Sequence, residues 1–220
     1  MRGPEPLGWD GYCERWSETH GGYDPREAPA PVRGWLRLCH RLGAGLVRLG
    51  VRSPNAITSI GLLSSAAVPL AAVTVPAGPL VAAILVLLSA FADTVDGVLA
   101  VVAAGATCLG QVYDAVADRL AEAAWLIAFA LLGAPAWLAA TCGAVMWLHE
   151  YVRARAAVAG MSDIGTVTIA ERPTRILITI FGLLAALFDP RAATATLAIA
   201  LAVSVVGFAQ LSTAVRKALR

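Results

Sequence analysis

Residues 79–103 read PLVAAILVLLSAFADTVDGVLAVVA, and this stretch decides the fold of the chain. Its first fourteen residues carry no charge. As a helix rising about 1.5 Å per residue, the stretch is long enough to cross a bilayer core of about 30 Å. Asp93 and Asp96 interrupt the apolar run toward its end. A charged carboxylate inside a membrane costs roughly 3 kcal/mol on insertion scales, so such residues usually have a function and a partner.

Five more apolar stretches of similar length lie on either side of this one, in a chain of 220 residues that is 58% hydrophobic and 15% charged. In lipid, backbone polar groups are satisfied only within helices or closed barrels, and continuous apolar runs indicate helices. The sequence therefore predicts an all-α membrane protein in which residues 53–220 form one domain of six transmembrane helices. The predicted spans cover residues 55–75, 79–103, 107–132, 134–159, 170–188 and 192–213.

Two segments of different composition precede the first predicted span. Residues 1–32 are polar, rich in proline and glycine, and lack the apolar core of a signal peptide, so they predict a cytoplasmic N-terminal segment. In residues 33–52, Trp35 and several leucines alternate at helical spacing with arginines such as Arg37 and Arg41. This pattern predicts an amphipathic helix along an anionic membrane surface, the alternative being an ordinary solvated helix end.

The basic residues predict the orientation of the chain. Eight arginines precede the first span, four surround the fourth-to-fifth connection, and three basic residues follow the sixth span. With six spans, these three places share one side of the membrane, which the positive-inside rule makes cytoplasmic. Both termini and the acidic site are then expected to face the cytoplasm. A composition rich in alanine and arginine, with Lys217 as the only lysine, is typical of a high-GC bacterial source, so the expected location is the bacterial cytoplasmic membrane.

Five carboxylates lie inside predicted spans, and their spacing indicates a metal site. Residues three or four apart share a helix face, and both aspartate pairs lie near the short connection at residues 103–107. Two antiparallel helices would therefore aim four carboxylates at one point, and divalent cations such as Mg²⁺ or Mn²⁺ would relieve the repulsion between them. Two metal ions also suit displacement at phosphorus. The alternative is hydrogen bonding between helices or pairing with Arg119, but one arginine cannot neutralise five acids. The five carboxylates are Asp93, Asp96, Asp114, Asp118 and Glu122.

Small residues accompany the aspartates. Gly97, Ala100 and Gly110 remove bulk where a ligand would need to approach the backbone closely. Each of them alone is equally explained by helix packing, which commonly uses small residues in membranes.

Together, these positions resemble the CDP-alcohol phosphatidyltransferase family. The family pattern is D-x2-D-G-x2-A-R, then eight or nine residues, then G-x3-D-x3-D. Val101 stands where the family has arginine. The segment from Pro54 to Thr58 is similar to the P-N-x-x-T opening of the family's first span. The matching positions of the acidic motif are Asp93, Asp96, Gly97, Ala100, Gly110, Asp114 and Asp118.

The resemblance implies transfer of a phosphatidyl group from CDP-diacylglycerol to an alcohol, with release of CMP. It implies that Asp118 is the general base and that two Mg²⁺ or Mn²⁺ ions occupy the aspartate site. It also implies a homodimer in the bilayer, and no nucleic-acid partner is expected. The implied metal ligands are Asp93, Asp96, Asp114 and Asp118, and the implied CDP contacts are Thr58, Asp93, Gly97 and Ala100.

The acceptor is expected to be a phosphorylated alcohol. The segments Tyr151–Ala156 and Glu171–Arg175 are similar to segments of bacterial family members that use inositol 1-phosphate. Arginine forks suit phosphate oxygens, so the acceptor phosphate would contact Arg153, Arg155, Arg172 and Arg175. The alternatives are glycerol 3-phosphate as acceptor, which would make a phosphatidylglycerophosphate synthase, and arginines that act only as orientation anchors.

Two other classes of protein stay open. A transporter would use the acids as cation sites, but the later half of the chain has no second acidic pair, as transporter repeats would require. A catalytically weakened family member with a non-enzymatic membrane role is the other alternative, and Val101 is its support.

Overall fold

The structure is a computed structural model that describes residues 6–19, 22–103, 106–161 and 168–220. Parts of the predicted N-terminal segment and of the connection at residues 103–107 therefore lie outside the described residues. The described residues form eight helices and no strand, which confirms the predicted all-α class. The helices are α1 (Trp9–Thr19), α2 (Ala30–Arg48), α3 (Pro54–Thr74), α4 (Gly78–Val102), α5 (Cys108–Leu131), α6 (Ala136–Val158), α7 (Arg172–Ala186) and α8 (Arg191–Ala218).

Helices α3 to α8 coincide with the six predicted apolar stretches. Gly133 adopts a φ of 104° between α5 and α6, a left-handed conformation that glycine tolerates without steric cost. Pro135 and Pro190 then precede the first residues of α6 and α8. Three of the described helices, α3, α4 and α8, are long and apolar enough to cross a membrane. Because α5 carries four charged side chains and α7 has only 15 residues, the count of six spans stays a prediction.

Helix α2 occupies the stretch predicted to be amphipathic. Its buried residues recur at helical spacing, as the prediction requires. The opposite side exposes Leu38 and Leu42 beside Arg37 and Arg41, a mixture suited to the boundary between lipid and water. The buried residues are Leu36, Cys39, His40, Gly43, Ala44 and Val47.

The helices pack as two compact units. Unit 1 comprises Met1–Leu62 and Ser89–Ala117, and unit 2 comprises Leu63–Leu88 and Asp118–Arg220. The core of unit 1 joins α1, α2 and the second half of α4. Its buried members are Tyr12, Cys13, Cys39, Val47, Val95, Val98, Leu99 and Val102.

Helix α1 was not predicted from the sequence. Its aromatic residues Trp9, Tyr12 and Trp16 lie at positions i, i+3 and i+7, which is the pattern that could have revealed it. Tyr12 is fully buried, and the guanidinium of Arg37 lies 5.3 Å from the ring centroid of Trp9. The carbonyl of Leu7, just before α1, lies 3.0 Å from Nε2 of His40. These contacts fix α1 on α2.

The cysteines serve as packing residues, with one exception. All four are free; Cys13, Cys39 and Cys142 are buried, whereas Cys108 is exposed. Burial raises the pKa of the Cys39 thiol to about 12, so this thiol stays protonated and packs as a small apolar group.

Unit 2 has its own apolar core. Trp125 donates its indole N–H to Ser65 Oγ at 3.0 Å, which satisfies both groups inside that core. Helices α6 and α7 both pack against α8. The buried members of this core that are larger than alanine are Val68, Val86, Trp125, Phe129, Leu138, Leu183 and Leu197.

The contact between α8 and the segment before α7 leaves no room for a methyl group at Gly207. A Cβ there would meet the Cβ of Ala170 and lie 3.1 Å from its backbone nitrogen. We expect Gly207→Ala to lower the free energy of unfolding by about 1–3 kcal/mol, because over-packing displaces backbone. Gly45→Ala in α2 is the control, since nothing lies within 4 Å of its Cβ position and alanine favours helix by about 1 kcal/mol. Equal unfolding midpoints in mixed micelles would contradict this packing.

Candidate active site

The two acidic helices of unit 1 bring aspartates together. Asp93 lies late in α4 and Asp114 lies in the second turn of α5. Each offers a carboxylate oxygen, and the two oxygens lie within 4.8 Å of each other. Both side chains are half-buried. Hard oxygen ligands at this spacing fit a magnesium- or manganese-sized ion.

Asp96 is held by the start of α3. Its Oδ2 accepts a hydrogen bond of 2.5 Å from Thr58 Oγ1, and its side chain is buried. The same hydroxyl lies 3.1 Å from the carbonyl of Pro54 one turn earlier. Thr58, which the resemblance made a nucleotide contact, therefore also orients an aspartate of the motif.

Small residues lie close in sequence to the aspartates of unit 1. A Cβ at Gly110 would lie 3.0 Å from Thr107 Oγ1 and 3.2 Å from Asn55 Oδ1, so glycine allows α5 to begin beside α3. A Cβ at Gly97 would lie 3.9 Å from the ring of Trp16. Ala100 is half-buried one turn after Gly97.

Asp118 follows Asp114 by four residues on α5, so the two share a face of that helix. Within unit 2, Asp118 Oδ1 forms a close ion pair with Arg172 Nη1, and Arg119 Nη2 lies 3.7 Å from Oδ2. The candidate base is therefore paired with one of the arginines predicted to bind the acceptor.

Arg175 is the most deeply buried of the predicted acceptor arginines, at 3% exposed. Its Nη1 donates to Glu122 Oε1 at 3.0 Å and its Nη2 to Glu150 Oε1 at 2.9 Å. Its Nε donates to the carbonyl of Ala170 at 2.7 Å. All three sides of the guanidinium therefore have partners within unit 2.

The other predicted arginines differ in their surroundings. Arg153 Nη2 donates to Glu171 Oε1 at 2.5 Å, and the same oxygen accepts from the backbone N–H of Thr168 at 2.9 Å. Arg155 is exposed at the end of α6. The structure thus places Arg153, Arg172 and Arg175 in one network of ion pairs and leaves Arg155 on the surface.

From the sequence, His149 and Glu150 at the end of the fourth span could serve the acceptor pocket, the alternative being that interfacial positions tolerate polar residues freely. His149 is fully buried, and its Nε2 lies 3.2 Å from Thr168 Oγ1. Glu122 is 1% exposed. Among the described residues, the network pairs four guanidinium groups with four carboxylates. Its charged members are Arg119, Arg153, Arg172 and Arg175 with Asp118, Glu122, Glu150 and Glu171.

The fold and these residues define a helical membrane protein with an oxygen-rich metal-type site and a network of arginines paired with carboxylates. Residues 51–206 match the model of the CDP-alcohol phosphatidyltransferase family, and the chain belongs to this family. The predicted family, a family of transferases of phospholipid synthesis, is therefore confirmed.

Curated relatives carry closely related names. The chain is 33% identical to the phosphatidylinositol phosphate synthase of Mycobacterium marinum over 156 residues, which is 67% of this chain and 64% of that protein. The match thus spans less than two thirds of that relative's length. It is 32% identical to the Mycobacterium tuberculosis enzyme of that name over 157 residues, 67% of this chain and 70% of the relative. The archaetidylinositol phosphate synthase of Pyrococcus horikoshii is 32% identical over 146 residues, 63% of this chain and 72% of the relative.

A solved structure has the same fold. The crystal structure of the Mycobacterium tuberculosis phosphatidylinositol phosphate synthase with CDP-DAG bound matches with a TM-score of 0.65 at 23% identity. The match covers 81% of this chain and 94% of that structure. At this identity, the comparison supports the helical arrangement described above.

Proposed function

We propose that this membrane protein transfers the phosphatidyl group of CDP-diacylglycerol to inositol 1-phosphate and releases CMP. The observation that carries the proposal is the complete aspartate spacing of the family, with the oxygens of Asp93 and Asp114 within 4.8 Å. The names of the bacterial relatives support the acceptor.

The aspartates are the proposed metal ligands. Asp93, Asp96, Asp114 and Asp118 would hold two divalent ions, Mg²⁺ or Mn²⁺, and their carboxylate oxygens are the donors that these ions prefer. When bound, the ions would neutralise the diphosphate of the donor. Thr58 would keep the buried Asp96 carboxylate in one orientation, which preorganises the site.

Asp118 is the proposed general base. The acceptor hydroxyl oxygen attacks the phosphorus that bears the diacylglycerol, the bond from that phosphorus to the oxygen of CMP breaks, and Asp118 receives the hydroxyl proton. Proton transfer needs hydrogen-bond reach between Asp118 and that hydroxyl. The carboxylate must also leave its pairing with Arg172, which would then be available to the phosphate of the acceptor.

The four arginines would have different roles in binding the acceptor. Arg153, Arg155 and Arg172 are exposed or half-buried and would contact the acceptor phosphate. Arg175 belongs to the same proposed set, and its three bonds within unit 2 support a role in holding Glu122 and Glu150 in place. Gly97 and Ala100 would let the nucleotide lie against α4.

We propose that the protein is a homodimer in the bacterial cytoplasmic membrane. Six spans, formed by α3 to α8, would place both termini and the active site on the cytoplasmic side. The arginine distribution supports this orientation, since Arg153 and Arg172 lie at the ends of α6 and α7 that would then face the cytoplasm.

The test is CMP release from CDP-diacylglycerol by the purified protein in detergent with Mg²⁺ or Mn²⁺. Parallel reactions contain inositol 1-phosphate, glycerol 3-phosphate, free inositol or no acceptor. Metal-dependent release with inositol 1-phosphate alone is the expected result. Release only with glycerol 3-phosphate would keep the reaction and replace the acceptor. No release with any acceptor, from folded protein that binds the nucleotide, would support the weakened member to which Val101 points.

The metal site can be tested without turnover. We expect Asp93→Asn to weaken Mn²⁺ binding by about tenfold or more, because it removes a charged oxygen ligand next to Asp114. Titration of free Mn²⁺ by electron paramagnetic resonance measures this directly. Asp189→Asn is the control, since Asp189 is an exposed acid between α7 and α8. Equal Mn²⁺ affinities for the two variants would remove Asp93 from the proposed site.

A further inference from the structure

Helix α1 lies beside the part of α4 that carries the nucleotide motif. It belongs to the core of unit 1 through Tyr12 and Cys13, both fully buried. Trp9 packs on His40 with ring centroids 5.6 Å apart. Helix α1 is therefore an integral part of this unit.

Trp16, in the last turns of α1, is the residue of that helix next to the motif. Its ring atom Cζ3 lies 3.9 Å from the position of a Cβ at Gly97, an ordinary van der Waals contact. Asp93, Gly97 and Ala100 recur at i, i+4 and i+7 and share one face of α4. Trp16 thus stands at the face that carries the acidic motif, and the residue is half-buried.

Val101 is a second, independent observation about the contact between α1 and the acidic motif. It stands where the family pattern has arginine, and it packs against the apolar core to which Tyr12 and Cys13 belong. An arginine at this position would bring a charge to that core, at a cost that apolar packing does not recover. Valine at position 101 is therefore compatible with the packing of α1, whereas a charged side chain there would disturb it.

We propose that α1 forms one wall of the nucleotide site and that Trp16 stacks on the cytosine base of the CDP-linked lipid. This inference rests on the proposed function, since it assigns a residue to the nucleotide of that reaction. Aromatic side chains bind bases through their π faces, which adds affinity without hydrogen-bond readout. In this chain, stacking by Trp16 would supply nucleotide affinity where the family pattern has the arginine.

The test is CDP binding to the purified full-length protein with Mg²⁺. Calorimetry measures the dissociation constant, and tryptophan fluorescence reports on the surroundings of the indole. Trp16→Leu keeps apolar volume and removes the aromatic face, so the dissociation constant for CDP should rise about tenfold. Trp16→Phe should recover most of the affinity. CDP should quench the fluorescence of the wild type, and Trp16→Phe should lose that quenching.

Trp9→Phe is the matched control, because Trp9 lies on the same helix against His40 and should keep both quenching and affinity. Thermal unfolding of each variant separates a loss of stacking from a loss of packing. The affinity for CDP should depend on whether residue 16 is aromatic, and differences in the unfolding midpoint should not account for the differences in affinity. Unchanged affinity in Trp16→Leu, or quenching retained in Trp16→Phe, would overturn the inference.

Val101→Arg provides the second variant. If a charged side chain at position 101 disturbs the packing of α1, this change should loosen α1 and weaken CDP binding, whereas tighter binding would overturn the proposal. The failure of the underlying function looks different, because then the wild type itself neither binds CDP nor releases CMP. If the wild type binds CDP and releases CMP, and the Trp16 variants bind CDP as tightly as the wild type, only the role of Trp16 is refuted.

Discussion

Replacing Asp118 by asparagine is expected to lower the rate of CMP release by about a hundredfold or more. The change keeps the size of the side chain but removes the proton acceptor, and general base catalysis contributes about 10²–10⁴ to a rate. It also replaces the carboxylate that pairs with Arg172 by a neutral amide. Initial rates of CMP release at saturating donor and acceptor measure the effect.

A loss of folding would imitate this result, so Asp118→Asn must be compared with the wild type in thermal unfolding. Asp189→Asn, an exposed acid-to-amide change far along the chain, controls for the loss of one negative charge. If Asp118→Asn keeps more than a tenth of the wild-type rate while folded, the proton goes to another group.

Arg175→Met is expected to lower the free energy of unfolding by about 3–5 kcal/mol. Removing one partner of a buried ion pair leaves the other charge without compensation, and that cost exceeds the net value of the pair. Here the remaining charge is Glu122, which is 1% exposed and, among the described residues, would keep Arg119 Nη2 at 3.4 Å as its cationic neighbour. Methionine fills similar apolar volume, so the variant isolates the charge.

The matched control is Arg155→Met on the exposed end of α6, for which we expect a change within about 0.5 kcal/mol. Adding Glu122→Gln to Arg175→Met should restore part of the lost stability, because the buried charge is then removed. The double-mutant cycle gives the coupling between the two residues. A cost below about 1 kcal/mol for Arg175→Met alone would contradict the role of Arg175 as the compensating charge for Glu122.

The predictions for Asp118→Asn and Arg175→Met concern two members of the same ion-pair network in unit 2. In the part of the chain that the structure describes, four guanidinium groups pair with four carboxylates, and Asp118 is the carboxylate that also belongs to the acidic motif. If Asp118 leaves Arg172 to serve the reaction, a cation is released next to the proposed acceptor site. Acceptor affinity should therefore depend on whether the metal and the donor are bound.

The sequence by itself determined the features that depend on local spacing. Continuous apolar runs predicted helices α3 to α8, because backbone polar groups in lipid are satisfied within helices or closed barrels, and continuous apolar runs indicate helices. The spacings from Asp93 to Asp96 and from Asp114 to Asp118 predicted shared helix faces, because residues three or four apart lie on one side of a helix. The same four positions carried the resemblance to the family. The arrangement of Asp93 and Asp114 followed from two antiparallel helices joined by a short connection.

Only the tertiary structure decided which distant residues meet. Glu122 and Arg175 are 53 residues apart, and no local period relates them. Thr58 bonds Asp96 from another helix, and α1 is stabilised by docking its aromatic residues on α2 and α4, although its sequence has no long apolar run. Partners of buried charges are chosen by the packing of whole helices, because each charge must find compensation wherever the fold places it. The sequence therefore determines which residues need partners, and the tertiary structure determines which partners they have.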